Sequence, residues 1–372
     1  MIIGIPKEVK NKEFRVGMTP EAVDEAIARG HRVLVQSAAG EGIGATDSDY
    51  RRAGARIVKT AREVFARADM IVKVKEPLAA ERKMLKKGQI LFTYLHLAAD
   101  KTLTRELMNS GAVCIAYETV TDDLGRLPLL APMSKVAGRL AAQAGAHYLQ
   151  RPYNGMGKLI GGVPGVLPAN VLVLGGGMVG RNAAWIAKGM GAAVTVADKS
   201  ADVVSDVSRE FNGDIATIHA SPRALARAVA ESDVLIGGVL VAGAAAPKII
   251  SEAMIKSMRT GSVVVDVAID QGGCIATARP TTHDNPVYVK HGVVHYCVTN
   301  MPGAVPHTST YALNNVTVPL ALEIAGKGWQ RAAAENQHLK NGLSVVDGKL
   351  TCPHSAASLK IPHTDPQTFL DH

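Results

Sequence analysis

The sequence predicts an α/β fold of two doubly wound parallel-sheet domains with a cleft between them, and three observations support this. Short apolar segments alternate with helical segments along most of the chain. Glycine is abundant, at 36 residues, while aromatic residues make up only 4%, a composition that suits tight turns between strands and helices. A length of 372 residues favours two domains over a single hydrophobic core.

The first 130 residues show the strand–helix alternation of a parallel sheet with right-handed crossovers. Apolar and β-branched runs predict strands over residues 2–5, 32–35, 70–74, 89–93 and 112–116. The segments between them predict helices over residues 20–29, 61–68, 79–86 and 101–110. The first of these helices has Thr19 as its N-cap and Pro20 as its first residue.

A change of composition near residue 130 predicts a domain boundary. Pro132 lies in a crossing segment, and an Ala-rich helix over residues 134–150 follows it. Residues 151–169 are rich in glycine and proline and form a loop into the second domain. A further helix, over residues 308–326, is expected to cross back to the first domain.

Residues 170–198 show the pattern of a dinucleotide-binding unit. An apolar strand over residues 171–174 leads into Gly175, Gly177 and Gly180, which are spaced as G-x-G-x-x-G before a helix. Gly175 permits a tight turn, Gly177 leaves room for a pyrophosphate against the backbone, and Gly180 permits close packing of the helix on the strand. The free N–H groups at the start of that helix attract phosphate.

Asp198 follows the next strand, over residues 194–197. A carboxylate there accepts hydrogen bonds from both ribose hydroxyls and repels a 2′-phosphate, so we expect NAD rather than NADP. A cofactor-free glycine turn is the alternative, but strand, glycines, helix, strand and acid all occur in order. Four more strands and two helices complete a six-stranded Rossmann domain: strands 215–218, 233–236, 262–268 and 293–298, and helices beginning at 222 and over 247–258.

Polar side chains follow the predicted strands of the first domain. Arg15 follows the first strand, Lys75 the third, Tyr94 and His96 the fourth, and Glu118 the fifth. Ligands of open parallel sheets lie beyond the carboxyl ends of the strands. A single lysine or glutamate there is usually only solvated, and a lone histidine is more often structural. Several such residues from separate loops at one edge are harder to explain in that way.

Composition argues against several other classes of protein. The net charge is +8, but no block of basic residues or interleaved aromatics occurs, so no nucleic acid is expected. The longest apolar run, over residues 234–246, is too short and too rich in glycine to span a membrane. The four cysteines lack C-x-x-C spacing and no signal peptide is apparent, which predicts reduced thiols and a cytoplasmic location.

These residues resemble the alanine dehydrogenase family over nearly the whole chain. The similar motifs are GIPKE (4–8), EFRV (13–16), VKEP (74–77), YLHLA (94–98), YE (117–118), PMS (132–134), GGGMVG (175–180), DVAIDQGG (266–273) and NMP (300–302). The similarity is weakest from Gly342 to the end of the chain.

The resemblance implies a reversible oxidative deamination, in which L-alanine, NAD⁺ and water give pyruvate, ammonia and NADH. It also implies a soluble homo-oligomer, commonly a hexamer. The first domain of the family is discontinuous. Residues 1–130 and 307–372 would thus form the substrate and catalytic domain, residues 131–306 the Rossmann NAD-binding domain, and the active-site cleft would lie between them.

A substrate carboxylate needs a cation. Arg15 offers a planar bidentate fork, and Lys75 a compact charge that can reach the carboxylate or the carbonyl oxygen. The alternative interpretation is that Arg15 forms a surface ion pair with Glu13 and that Lys75 pairs with Glu76. Further substrate contacts are expected on the basis of the resemblance. They are an apolar wall of Tyr94, Met133 and Met301, with Asn300 beside it.

Deamination also needs proton transfer near neutral pH, which an imidazole provides. His96 is the histidine at a strand end, and it matches the catalytic position of the family. Asp270 is predicted to orient water or accept a proton, the alternative being a helix cap or a hydrogen bond to loop N–H groups.

The resemblance assigns a set of cofactor contacts by position: Ser134, Gly175, Gly177, Met178, Val179, Gly180, Asp198, Val239, Leu240, Val267, Ala268, Ile269, Asp270, Arg279, Val298, Asn300 and Met301. No metal is expected, because hydride transfer needs none. A Glu-x-x-x-His pair would hint at a metal on the last helix, but Glu323 is followed by the cation Lys327.

Three rival interpretations remain at this point. One is the nucleotide-binding part of a proton-translocating transhydrogenase, which shares this fold and similar motifs. Another is a non-catalytic NAD-sensing module, which would have no reason to keep His96, Lys75 and Asp270 together. The last is a dehydrogenase that condenses lysine with a keto acid and needs a wider pocket than Tyr94 and Met133 suggest.

Overall fold

The computed structural model describes residues 1–239 and 246–370 of the chain. The fold divides into two compact units. The first unit comprises Met1–Met133 and Gly303–His372, and the second unit comprises Ser134–Pro302. Each unit is built around its own β-sheet.

The strands are short, at two to six residues each. In chain order they are β1 (Ile2–Ile5), β2 (Arg32–Gln36), β3 (Arg56–Val58), β4 (Met70–Val72), β5 (Ile90–Thr93), β6 (Val113–Ala116), β7 (Asn170–Leu174), β8 (Ala193–Asp198), β9 (Ala216–His219), β10 (Val234–Gly237), β11 (Val263–Asp266), β12 (Val287–Lys290), β13 (Val293–Tyr296), β14 (Leu343–Val346) and β15 (Lys349–Leu350).

Helices connect most of the strands. They are α1 (Pro20–Ala28), α2 (Asp47–Arg52), α3 (Ala61–Arg67), α4 (Ala79–Arg82), α5 (Lys101–Ser110), α6 (Ala131–Tyr148), α7 (Met178–Gly189), α8 (Ala201–Glu210), α9 (Pro222–Glu231), α10 (Glu252–Ser257), α11 (Pro306–Lys327), α12 (Trp329–Glu335), α13 (Gln337–Gly342) and α14 (Pro353–Leu359). Local sequence fixes several of their starts. Thr19 caps α1 by accepting the Ala22 N–H, and Ser221 caps α9 by accepting the Ala224 N–H.

The sheet of the first unit has the order β15-β14-β6-β5-β4-β1-β2-β3. Strands β1 to β6 are all parallel to one another. The C-terminal part of the chain extends this sheet, because β14 pairs antiparallel with β6 and with β15. Helix α11 leads into that segment, and it contacts α1 within the same unit.

The sheet of the second unit has the order β12-β13-β11-β10-β7-β8-β9. All pairs are parallel except β12 with β13. Strand order reverses on either side of β7, which gives the crevice where doubly wound sheets bind their ligands. The predicted α/β fold of doubly wound sheets is confirmed, with antiparallel strands added at one edge of each sheet.

Both faces of the second sheet are covered, which explains its continuous apolar strands. Along β7, Val171 and Val173 belong to one buried cluster, and Leu172 and Leu174 belong to another. Side chains alternate between the faces of a strand, so a run of four apolar residues serves two cores.

Two predicted helices are shorter than expected. The helix over residues 79–86 ends at Arg82, because the N–H groups of Met84 and Leu85 bond carbonyls three residues earlier instead of continuing the α-helix. The helix over residues 247–258 begins only at Glu252. The N–H groups of Ile249 and Ile250 donate to the carbonyl of Cys274 instead of entering a helix.

Strands β3, β12, β14 and β15 were not predicted from the sequence. Strands β3, β12 and β15 lie at sheet edges, whereas β14 lies between β15 and β6 and is fully buried. No helix among the described residues is long and apolar enough to cross a membrane. All four cysteines are buried, and none forms a disulfide.

Candidate functional site

The carboxyl ends of β1, β4, β5 and β6 carry the polar residues that the sequence singled out in the first unit. These strands are consecutive parallel neighbours in the sheet. Each of these strands is followed by one polar residue of the set Arg15, Lys75, His96 and Glu118. The four side chains therefore belong to loops at the carboxyl ends of the strands.

Arg15 is buried and is held by a carboxylate of its own loop. Its Nε donates to Glu13 Oε1 at 2.7 Å, and its Nη2 donates to Glu13 Oε2 at 2.5 Å. Its Nη1 lies 3.0 Å from the Sδ atom of Met133. The predicted alternative, an ion pair with Glu13, is therefore present, but as a buried bidentate pair rather than a surface one. Glu13 fixes the plane of the guanidinium.

Lys75 is half-buried beyond the end of β4. Its neighbour Glu76 forms an ion pair with Lys10. Burial would raise the pKa of Glu76, but Lys75 and Lys10 outweigh it, so this pKa lies below its ordinary value. Lys75 therefore lies in a segment where acidic and basic side chains are closely interleaved.

Glu118 holds the backbone of the segment that contains Tyr94 and His96. The Glu118 carboxylate accepts the N–H groups of Leu95 and His96, and its Oε1 lies 3.9 Å from Nδ1 of His96. His96 has a left-handed backbone, at φ 51°, and its side chain is exposed. The rings of Tyr94 and His96 are parallel, with centroids 5.8 Å apart, and the buried Tyr94 hydroxyl donates to the carbonyl of Leu129. These contacts fix the backbone from which the imidazole projects.

The glycine turn after β7 has the geometry that its sequence predicts. Gly175 has φ +94°, a conformation that favours glycine. A Cβ added at Gly180 would lie 1.8 Å from the carbonyl oxygen of Gly175, so helix α7 packs as closely on the turn as glycine allows. A Cβ added at Gly177 would meet nothing within 4 Å. The exposed backbone at Gly177 leaves open space at the start of α7.

Asp198 ends β8, as predicted, beside this turn. Its Oδ2 accepts the Gly176 N–H at 2.8 Å, and its Oδ1 accepts the Ser200 N–H at 2.9 Å. The two hydrogen bonds orient a half-buried carboxylate at the carboxyl edge of the sheet. An acid in this place can accept ribose hydroxyls.

Asp266, at the end of β11, holds the segment that carries Asp270. The buried Asp266 carboxylate accepts the N–H groups of Ala268, Cys274 and Ile275. Burial is the largest influence on it and raises the pKa of Asp266, although these N–H groups oppose the change. Asp270 itself is exposed, and its Oδ2 accepts the Asn300 N–H at 3.3 Å, so the predicted alternative of a hydrogen bond to a loop N–H group is present.

Comparison with known proteins identifies the family. The model of the alanine dehydrogenase/PNT N-terminal domain matches residues 4–137, and the model of the C-terminal domain matches residues 141–353. This chain belongs to the alanine dehydrogenase/PNT family.

Full-length relatives of the family are similar throughout. The alanine dehydrogenase of Halomonas elongata is 56% identical over 94% of this chain and 95% of its own length. That of Mycobacterium tuberculosis is 53% identical over the full length of both chains. A solved L-alanine dehydrogenase superposes with a TM-score of 0.94 at 48% identity, over 97% of this chain and 99% of the other. A transhydrogenase from Sinorhizobium meliloti, at 24% identity and a TM-score of 0.81, shares the fold.

The other family positions predicted to contact cofactor belong to the second unit. Val298 and Met301 are buried in its core, and Ser134 and Val239 are half-buried. Arg279 is exposed and its guanidinium stacks 4.2 Å from the ring of Tyr288. Leu240 lies outside the described residues.

The segment around Glu323 holds an ion-pair network. Lys327 Nζ lies 2.8 Å from Glu323 Oε1 and 2.9 Å from Glu335 Oε2. Within the described part of the chain, no three His, Cys, Asp or Glu side chains are grouped as metal ligands.

Sequence reasoning overlooked two carboxylates that organise the candidate site. Glu8 and Asp266 both lie within motifs of the family, but their side chains bond backbone N–H groups rather than pointing to an expected ligand. Their positions in the sequence could have indicated this role, since each lies at or near a strand end beside a predicted site residue.

Proposed function

We propose that this chain is an NAD-dependent alanine dehydrogenase. The reaction converts L-alanine, NAD⁺ and water into pyruvate, ammonium, NADH and a proton, reversibly. The single observation that carries the proposal is that Arg15, Lys75 and His96 follow neighbouring strands at one edge of the first sheet, in a chain about half identical to alanine dehydrogenases over its full length.

In this proposal the first unit binds the substrate. Lys75 and Arg15 neutralise the carboxylate of alanine or pyruvate. Glu13 bonds Nε and Nη2 of Arg15, and this pair fixes the plane of the guanidinium before the substrate binds. Tyr94, Met133 and Asn300 complete the substrate contacts, and the two apolar surfaces favour a methyl side chain over a longer one.

His96 is the general acid and base. Loss of hydride from Cα leaves an imine, to which water adds. The imidazole of His96 takes the proton from that water and later protonates the departing nitrogen. Glu118 is a positioning residue in this scheme, since it fixes the His96 backbone through the N–H group. We propose that Asp270 also takes part, by orienting the attacking water or accepting a proton.

The second unit fits a dinucleotide. The open space at Gly177 gives a pyrophosphate access to the backbone, and Asp198 is oriented to accept ribose hydroxyls. When bound, NAD⁺ supplies the hydride acceptor. The segment of Val267, Ala268 and Ile269, held by Asp266, would shape the nicotinamide end of the site.

The test is a direct assay. Purified protein with L-alanine and NAD⁺ should form NADH, and pyruvate with ammonium should consume it. D-alanine, L-serine and L-lysine with 2-oxoglutarate are the matched comparisons. Absence of alanine-dependent NADH formation would contradict the proposal. Hydride transfer between NADPH and an NAD⁺ analogue without any amino acid would favour the transhydrogenase instead.

We further propose a cytoplasmic homo-oligomer, a hexamer, as the family resemblance implies. The absence of a membrane-spanning helix from the described residues is compatible with this. Sedimentation equilibrium of the purified chain tests the assembly, and a monomer would contradict it.

A further inference from the structure

A completely buried lysine lies beneath the segment that carries Lys75. Lys73, within the first unit, has no solvent exposure. Its Nζ lies 3.1 Å from Glu8 Oε2 and 2.8 Å from Glu81 Oε1. Burial would lower the pKa of Lys73, but the two carboxylates outweigh it and raise this pKa above its ordinary value, so the group is an ammonium.

The remaining oxygens of the two carboxylates bond the backbone of residues 74–78. Glu8 Oε1 accepts the Val74 N–H at 2.7 Å and the Lys75 N–H at 3.4 Å. Glu81 Oε2 accepts the Leu78 N–H at 2.9 Å. Lys73 therefore joins two carboxylates that hold opposite ends of one short segment.

A buried cluster of charges contributes little net stability to a fold. Removing three charged groups from water is costly, and apolar side chains of similar volume are often as stable or more so. The cluster instead fixes the position of the backbone, because charge-assisted hydrogen bonds to immobile carboxylates hold the N–H groups in one place.

We propose that Glu8, Lys73 and Glu81 are positioning residues that set the location of the Lys75 ammonium for the substrate carboxylate. This rests on the proposed function, in which Lys75 binds that carboxylate. The three residues do not touch the substrate. They act by holding residues 74–78 so that Lys75 is correctly placed before substrate arrives.

The experiment compares Glu8→Ala, Glu8→Gln and a control, Gln89→Ala. Gln89 is also buried in the first unit, and its Nε2 also ties down two backbone groups, the carbonyls of Phe65 and Ala68. It bonds no part of residues 74–78 in the described contacts. Amide hydrogen exchange measures how strongly the backbone N–H groups of residues 74–78 are protected. Steady-state kinetics measure the effect on KM for pyruvate.

Glu8→Ala should accelerate exchange in residues 74–78 and raise KM for pyruvate by about 10- to 100-fold, the range expected for a misplaced binding group. The dissociation constant for NADH should stay within about twofold, because Glu8 belongs to the other unit. Glu8→Gln keeps an oxygen acceptor for the Val74 N–H, so exchange and KM should both be partly restored. Gln89→Ala should lower thermal stability, but it should neither accelerate exchange in residues 74–78 nor raise KM for pyruvate.

The proposal is overturned if exchange in residues 74–78 is unchanged in Glu8→Ala, or if KM for pyruvate rises no more than in Gln89→Ala. If Glu8→Ala does not fold, Glu8→Gln and Gln89→Ala give the same comparison, and equal exchange in the two contradicts the proposal. If the wild-type chain does not oxidise alanine, the proposed function fails, while the exchange measurement still decides whether the cluster holds the segment.

Discussion

The two glycines at positions 177 and 180 provide a matched test of the nucleotide-binding turn. Both belong to the same motif, and both are replaced by alanine. At Gly180 the new Cβ would lie 1.8 Å from the Gly175 carbonyl oxygen, whereas at Gly177 it would meet nothing within 4 Å. Gly177 has φ −78°, which alanine readily adopts. The same methyl group is thus blocked at one site and free at the other.

The size of the effect follows from these distances. Ordinary contact begins near 3.4 Å, so Gly180→Ala requires helix α7 and the turn to separate by about 1.6 Å. The obstructing atom is backbone, and the Gly175 N–H is itself bonded to the Ala197 carbonyl at 2.8 Å. Overpacking a rigid site costs about 1–3 kcal/mol and occasionally more, and we expect about 3 kcal/mol here. Gly177→Ala should change stability by less than about 1 kcal/mol.

Urea unfolding followed by tryptophan fluorescence measures the difference. The chain has two tryptophans, Trp185 on α7 and Trp329 on α12, so a Trp329→Phe background reports on the second unit. Titration with NADH completes the test. Gly177→Ala should keep its stability yet bind NADH about tenfold more weakly or worse, a loss of about 1.4 kcal/mol. If Gly180→Ala unfolds at the same urea concentration as Gly177→Ala, the steric argument is wrong.

Three further substitutions test individual roles. His96→Ala should lower turnover by about 10²- to 10⁴-fold while NADH binding stays intact, and retained turnover would refute its acid–base role. Asp198→Ala should reduce the kcat/KM preference for NAD over NADP, since the charge that repels a 2′-phosphate is removed, and an unchanged ratio would count against the ribose assignment. Asp266→Ala leaves three N–H groups without their acceptor, so stability should fall by about 1–3 kcal/mol and kcat should fall with it. An unaltered kcat would show that the segment bearing Asp270 does not depend on that carboxylate.

The nucleotide-binding turn could be predicted in detail because its determinants are local. Strand, glycines, helix, second strand and Asp198 all lie within residues 170–198, and the observed β7, α7 and β8 follow the prediction closely. Each glycine's function follows from backbone sterics within a few residues, so no knowledge of distant packing was needed. The roles of the candidate site residues remain predictions that the experiments above address.

Long-range contacts decided what the sequence could not. Helix α10 begins at Glu252 because the Ile249 and Ile250 N–H groups bond Cys274, more than twenty residues away. Arg15 also has a distant neighbour, since its Nη1 lies 3.0 Å from the Sδ atom of Met133, 118 residues further along the chain.

The sequence by itself determined the α/β class, the parallel strands and the residues at their carboxyl ends, because apolar periodicity and turn chemistry act over a few residues. Only the tertiary structure decided which carboxylates hold those ends. Glu8 and Lys73 are 65 residues apart in the chain, and their ion pair exists only because β1 and β4 are neighbours in the sheet. Burial then makes that pair strong enough to fix a backbone, and burial is a property of the assembled fold.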